Sequence, residues 1–62
     1  MESKLRDARK EKKMTQSELS QASGISRATI CAIESGKELN VSVKTMKAIA
    51  SALDTTPAVI FF

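Results

Sequence analysis

Residues 15–30 read TQSELSQASGISRATI and contain the clearest structural signals in this chain of 62 residues. Thr15 and Glu18 have the spacing of a capping box, in which a hydroxyl and a carboxylate bind backbone amides at the start of a helix. Gly24 is placed to end that helix in a left-handed turn, because glycine adopts positive φ without steric cost. Ser26 can cap another helix only two residues later. The stretch therefore predicts two short helices joined by a tight turn.

The second of these helices would stand out from the body of the protein. A tight turn sets the two helix axes at a steep angle, and Ile25 would pack beneath it. Ile30 and Ile33 would point inward. The opposite face carries Arg27, Ala28, Cys31 and Ala32. An arginine among short side chains at an exposed helix start suits a DNA major groove, which is about 12 Å wide.

Signals on either side of this pair predict three more helices. Ser3 can cap a first helix over about residues 4–12. Gly36 would end the third helix, Ser42 would cap a fourth, and Thr56 and Pro57 predict the start of a short fifth helix. The buried sides of the first two helices would contain Leu5, Ala8, Leu19 and Ala22. The apolar residues of the fourth recur at three- and four-residue steps: Val43, Met46, Ile49, Ala50 and Leu53. The expected fold class is all-α.

Composition limits the kinds of protein that this chain can be. A chain of 62 residues with 42% apolar residues suits a single domain over residues 1–62. It has one cysteine, no run of about 18 apolar residues, and no secretion-signal pattern at its start, so we expect a cytoplasmic protein without a membrane partner. Histidine is absent, and no nucleophile–base pair, paired carboxylates or glycine-rich phosphate loop emerges. We therefore expect no enzyme activity, no metal and no cofactor.

The charge of the chain is mildly basic. Ten lysines and arginines against seven acidic residues give a net charge of +3, which is compatible with a polyanionic partner. Six of the cations crowd the first thirteen residues: Lys4, Arg6, Arg9, Lys10, Lys12 and Lys13. Because a solvated helix face gives the same pattern, this run decides nothing alone.

Four segments in register carry a family resemblance. They read MTQSEL at residues 14–19, GISRATI at 24–30, IESGK at 33–37 and SVKTMKAIA at 42–50. Together they resemble the phage repressor/Cro-type (Xre-like) helix-turn-helix family of bacterial regulators. The resemblance implies a compact five-helix bundle of the lambda-repressor type that binds double-stranded DNA at the nucleoid and regulates transcription. Within the family, the chain loosely resembles restriction-modification controllers, and a phage or mobile-element regulator is the alternative.

The resemblance also implies roles for individual residues. The third helix, about residues 26–35, would enter the major groove, with base contacts from Ser26, Arg27, Ala28 and Ala32. The phosphate contacts would come from Arg9, Thr15, Gln16, Thr29, Ser35, Lys37 and Asn40. Arg9 and Glu34 match a structural ion pair. The plainer alternative for Gln16 and Arg27 is that each is a solvated surface residue, or that Arg27 holds a phosphate only.

Two residues depart from the family pattern at helix ends. Lys13 and Asp54 stand where the family usually has glycine. Each must either adopt a left-handed conformation at some cost or end its helix differently, and aspartate tolerates that conformation better.

The C-terminal helix contains candidate residues for contact with another protein chain. Val59 and Phe62 are candidates for a homodimer interface, while Ile60 and Phe61 could simply cover the core. The rival interpretation is a protein-interaction module of the same fold, antitoxin-like or a complex subunit, and basic charge around Gln16 and Arg27 favours DNA instead. We expect no small-molecule effector. Cys31 could suggest a redox switch, but without a partner group it is better interpreted as a small side chain beside the core.

Overall fold

The computed structural model describes residues 4–37 and 40–61 and places five helices there. They are α1 (Lys4–Glu11), α2 (Gln16–Ser23), α3 (Arg27–Glu34), α4 (Val43–Ala52) and α5 (Pro57–Phe61). Within these two ranges there is no β-strand, so the expected all-α, five-helix fold is confirmed. The predicted cap Ser3 and the predicted interface residue Phe62 lie outside the described residues.

One apolar core joins all five helices. Leu5, Leu19, Ile30, Ile49 and Leu53 are almost completely buried, together with Ala50 and Ile60. In the described part of the chain, no polar or charged residue is buried to the same degree. The α2 helix packs on α3 and α4, and α1 packs on α3 and α5, so α3 is held by both α1 and α2.

Hydroxyl caps start three of the helices, as the sequence predicts. The Thr15 side chain accepts a hydrogen bond from the Glu18 amide at 3.0 Å, and the Glu18 carboxylate accepts one from the Thr15 amide at 2.8 Å. Ser26 caps α3, and Ser42 caps α4. Satisfying these otherwise unpaired amides fixes where each short helix begins.

Left-handed residues end four of the helices. Gly24 and Gly36 have φ values of 75° and 80°, and the non-glycine residues Lys13 and Asp54 have φ values of 56° and 55°. Lys13 and Asp54 therefore take the same conformation as the glycines instead of ending their helices differently. The conformation is costly for a side chain with a Cβ atom, by about 1–2 kcal/mol.

One prediction of burial is wrong, and one apolar residue of the α4 repeat is exposed. Ala22 is exposed, because the inward face of α2 continues from Leu19 to the half-buried Ser23, whose hydroxyl donates to the Leu19 carbonyl at 2.7 Å. Val43 is 63% exposed although it has the right spacing for the apolar face of α4. Val43 is the first residue of α4, and the buried residues of that helix lie further along it. The apolar repeat therefore predicts which face of a helix is apolar, but it does not predict which turns of that face another helix covers.

Candidate nucleic-acid interface

The connection between α2 and α3 has the predicted turn geometry. The Gly24 amide donates to the Ser20 carbonyl at 2.9 Å, which closes the end of α2. Ile25 is half-buried against the core, and its amide donates to the Ser23 hydroxyl. Ser26 then caps α3, which begins only three residues after Gly24. The two helices and this turn form a helix-turn-helix unit.

The α3 helix has a buried side and a solvent side. Ile30 is completely buried, and Ile33 is half-buried against the core. We call Arg27, Ala28, Cys31 and Ala32 the outer face of α3. The first three are exposed and Ala32 is half-buried. Three of the four sequence-predicted base-contact residues, Arg27, Ala28 and Ala32, therefore lie on the outer face of a helix that the core holds in place, and the fourth, Ser26, is the exposed cap before it.

The two hydroxyl residues predicted to touch DNA at the start of α3 are joined by the cap. Ser26 accepts a hydrogen bond from the Thr29 amide at 3.2 Å, and its own hydroxyl donates to the Thr29 side chain at 2.8 Å. The Ser26 hydroxyl can therefore donate to DNA only by giving up its bond to Thr29, whereas the Thr29 hydroxyl can still donate to a phosphate.

A nearly buried ion pair ties α1 to the end of α3. Arg9 donates from Nε to Glu34 Oε2 at 2.8 Å and from Nη2 to Glu34 Oε1 at 3.0 Å, and the two side chains are only 12% and 6% exposed. Its Nη1 donates to the Met14 carbonyl at 2.8 Å, in the connection between α1 and α2. The hydrogen bonds to Glu34 raise the pKa of Arg9, against the smaller lowering effect of burial. The ion pair implied by the family resemblance is present.

Gln16 joins this network, which the sequence did not predict. Its Nε2 donates to Glu34 Oε1 at 3.3 Å, and the residue is half-buried as the first residue of α2. We call Arg9, Met14, Gln16 and Glu34 the Arg9 hub. The Gln16–Glu34 contact spans 18 positions of sequence, so no local pattern could have revealed it.

The remaining predicted phosphate contacts lie at the surface. Thr15 is exposed as the cap of α2, and Ser35 is exposed with its hydroxyl donating to the Ala32 carbonyl. Lys37 and Asn40 are also exposed. The Lys37 amide donates to the Ala32 carbonyl at 2.9 Å, which holds the Lys37 backbone against the last turn of α3.

An open cleft lies where α1, α2 and α3 meet, and it includes a residue that the sequence prediction left out. We call it the three-helix cleft, and its lining residues are Arg6, Arg9, Gln16, Cys31, Glu34 and Ser35. Arg6 is exposed on α1. The crowding of cations in the first thirteen residues was the only sequence signal for it.

Other observations bear on the expected partners. Val59 is 60% exposed on α5, whereas Ile60 is buried and Phe61 is packed against the core. Cys31 is an exposed free thiol and does not lie beside the core, because it projects from the solvent side of α3. In the described ranges, no cluster of histidine, cysteine or acidic residues could hold a metal ion, and no helix has the length and apolarity to cross a membrane.

Comparison with known proteins gives two positive findings. A family model described as helix-turn-helix matches residues 5–60. Among solved structures, the chain is similar to the restriction-modification controller protein C.AhdI from Aeromonas hydrophila, with 34% sequence identity and a TM-score of 0.86. That similarity covers 94% of this chain and 86% of the controller protein. No curated protein sequence matches.

Proposed function

The chain belongs to the helix-turn-helix family of DNA-binding transcriptional regulators, and from this premise we propose that it reads a specific DNA sequence as a homodimer, with α3 in the major groove. The observation that carries the proposal is the outer face of α3, where Arg27 and Ala28 are exposed at the start of a helix anchored by the buried Ile30. Two such helices, one from each subunit, would enter successive major grooves about 34 Å apart.

Arg27 is the proposed base reader. Its guanidinium can donate two hydrogen bonds to O6 and N7 of guanine, a contact worth about 1–3 kcal/mol of discrimination. Ala28 and Ala32 offer only methyl groups, which can contact the methyl group of thymine. Because few side chains on this face can form hydrogen bonds to bases, sequence-dependent DNA shape would carry a larger share of the specificity.

Gln16 is the proposed phosphate anchor at the start of α2. Unpaired amides and the dipole at a helix N-terminus attract an anion, and the eight-residue α2 begins at Gln16. The Gln16–Glu34 hydrogen bond supports this role, since it restricts the amide before DNA arrives. Further phosphate contacts are proposed for Thr15, Thr29, Ser35, Lys37 and Asn40. For Arg9, holding α3 in place is the larger proposed role.

The C-terminal helix is the proposed dimer interface. Val59 is an exposed apolar residue beside the core-covering Ile60 and Phe61, and Phe62 follows directly. A dimer would double the number of DNA contacts made by so small a domain. The similarity to a restriction-modification controller favours that regulatory role over a phage or mobile-element one. The proposed place of action is the cytoplasm, at the nucleoid.

Selection from a randomised duplex pool tests sequence-specific binding. We expect the parent protein to enrich one sequence, Arg27→Ala to lose the preference for it, and Gln16→Ala to bind all duplexes more weakly by a similar factor. If the parent enriches no sequence, the proposal fails and the interaction-module alternative gains support.

Sedimentation of two matched valine variants tests the dimer. Val59→Glu and Val43→Glu each place one carboxylate at a similarly exposed valine, 60% and 63% respectively. We expect Val59→Glu to sediment as a monomer and Val43→Glu to remain dimeric. Equal behaviour of the two variants would contradict an interface at α5.

A further inference from the structure

We infer that the three-helix cleft receives a DNA phosphate and that Arg6, which the family resemblance did not single out, is the side chain that binds it. The inference rests on the proposed function, because it concerns the same DNA contact surface. Its basis is the arrangement of charges around the cleft.

The cleft opens between the two elements that would face DNA. Cys31 belongs to the outer face of α3, and Ser35 follows directly after that helix. Gln16, on another wall, is the first residue of α2. A duplex with α3 in its major groove would bring the phosphates at the edge of that groove against these walls.

The inner wall of the cleft contributes little net charge. Arg9 uses Nε, Nη1 and Nη2 for hydrogen bonds within the chain, and the Glu34 carboxylate balances its charge. Gln16 donates to the same carboxylate. If Arg9 left Glu34 for a phosphate, it would strand a nearly buried carboxylate, which is strongly unfavourable. Arg9 is therefore poorly placed to supply the attraction.

Arg6 is the cation on the cleft that can attract a DNA phosphate. Its side chain is exposed, so a phosphate can reach it, and solvent screens the interactions of an exposed cation with other groups of the chain. A guanidinium can donate two parallel hydrogen bonds to phosphate oxygens. The backbone at Arg6 is held firmly, because the neighbouring Leu5 is 1% exposed and Arg9, one turn later, is bonded to α3.

The experiment compares Arg6→Gln with Lys47→Gln on the duplex that the parent enriches. Both variants lower the net charge from +3 to +2. Lys47 is exposed on α4 and lines a separate hollow near α5, with no lining residue in common with the cleft. Both are surface substitutions, which are usually close to neutral for folding. Thermal unfolding verifies that both variants fold.

The salt dependence of binding is the first readout. Each lost phosphate contact reduces the slope of log affinity against log salt concentration by about 0.9, so a symmetric dimer should lose about 1.8. We expect this loss for Arg6→Gln, a slope near that of the parent for Lys47→Gln, and a largely retained slope for Arg6→Lys. Equal slopes for Arg6→Gln and Lys47→Gln would overturn the inference.

Uncharged methylphosphonate linkages, placed one at a time along the duplex, are the second readout. At one position in each half-site, the modification should weaken binding by the parent and by Lys47→Gln clearly more than binding by Arg6→Gln, which has already lost the charge contact there. A scan in which Arg6→Gln responds like the parent at every position overturns the inference while leaving the proposed function intact. If the parent enriches no duplex in the first place, both fail together.

Discussion

The Arg9 hub and the outer face of α3 differ in burial and in the groups that they contact. The hub consists of nearly buried polar groups whose hydrogen bonds stay within the chain, and it joins α1, α2 and α3. The outer face presents the exposed residues Arg27, Ala28 and Cys31 and leaves the core to Ile30. The contrast supports a division of roles in which the hub fixes where α3 lies and the outer face carries the proposed base contacts. Variants in the hub should therefore change the free energy of unfolding, and variants on the outer face should change DNA binding.

The largest effect is expected for Glu34→Ala. It leaves the Arg9 guanidinium nearly buried without its carboxylate partner, which costs about 3–5 kcal/mol in comparable pairs. For a domain whose total stability is about 3–9 kcal/mol at this length, much of the folded population would be lost. Urea denaturation followed by circular dichroism measures the change.

Two further variants make that measurement specific. Glu11→Ala removes an exposed carboxylate at the end of α1 and should change stability by less than about 0.5 kcal/mol. Replacing both partners by apolar residues, Arg9→Met with Glu34→Leu, should recover most of the loss because no charge is stranded. If Glu34→Ala is as stable as Glu11→Ala, the hub does not hold α3.

The next effect is expected for Arg27→Ala, on the outer face. Discrimination between the selected duplex and a guanine-substituted one should fall by about 2 kcal/mol, since a bidentate contact is lost. The free energy of unfolding should stay within about 0.5 kcal/mol of the parent, because the side chain is exposed. Fluorescence anisotropy and urea denaturation on the same sample give both values. A large loss of stability would remove the distinction between the two regions.

The hydroxyl caps of α2 and α4 allow a comparison in which smaller effects are expected. Thr15→Ala and Ser42→Ala each remove a side chain that accepts a hydrogen bond from an amide in the first turn of a helix, at a cost of about 1 kcal/mol of stability. Only Thr15 adjoins the predicted phosphate anchor Gln16. DNA binding, measured where both variants are fully folded, should therefore weaken for Thr15→Ala and not for Ser42→Ala. Equal binding would leave Thr15 as a cap alone.

The parts of this fold that could be predicted from the sequence are those encoded within a few residues. The cap at Thr15 and the left-handed turns at Gly24 and Gly36 depend on neighbours at most five positions away. These caps and turns predict that the helices are present and that a tight turn joins α2 to α3. The family resemblance added the ion pair of Arg9 and Glu34, which lie 25 positions apart.

Other features depend on how the helices pack and could not be predicted from local sequence. The hydrogen bond from Gln16 to Glu34 and the position of Arg6 on the three-helix cleft arise only when α1, α2 and α3 come together. The exposure of Val43 has the same origin, because a regular apolar pattern does not reveal which turns of a helix have a neighbour. The base and phosphate roles remain predictions that DNA-binding measurements must test.

The smallest effect is expected at Lys13, a left-handed residue directly beside the hub. Lys13, which precedes Met14, has a φ of 56°. Two hydrogen bonds join Arg9 and Met14 across it: the Met14 amide donates to the Arg9 carbonyl, and Arg9 Nη1 donates to the Met14 carbonyl. Lys13→Gly relieves a left-handed penalty of about 1–2 kcal/mol and loses about 0.5–1 kcal/mol through the greater freedom of glycine in the unfolded chain. A net gain of about 0.5 kcal/mol in unfolding free energy should result.

Asp54→Gly should gain less, because aspartate tolerates the left-handed conformation better than lysine. Thermal unfolding of the two variants gives the order, and a larger gain at Asp54 would show that strain is not concentrated beside the hub.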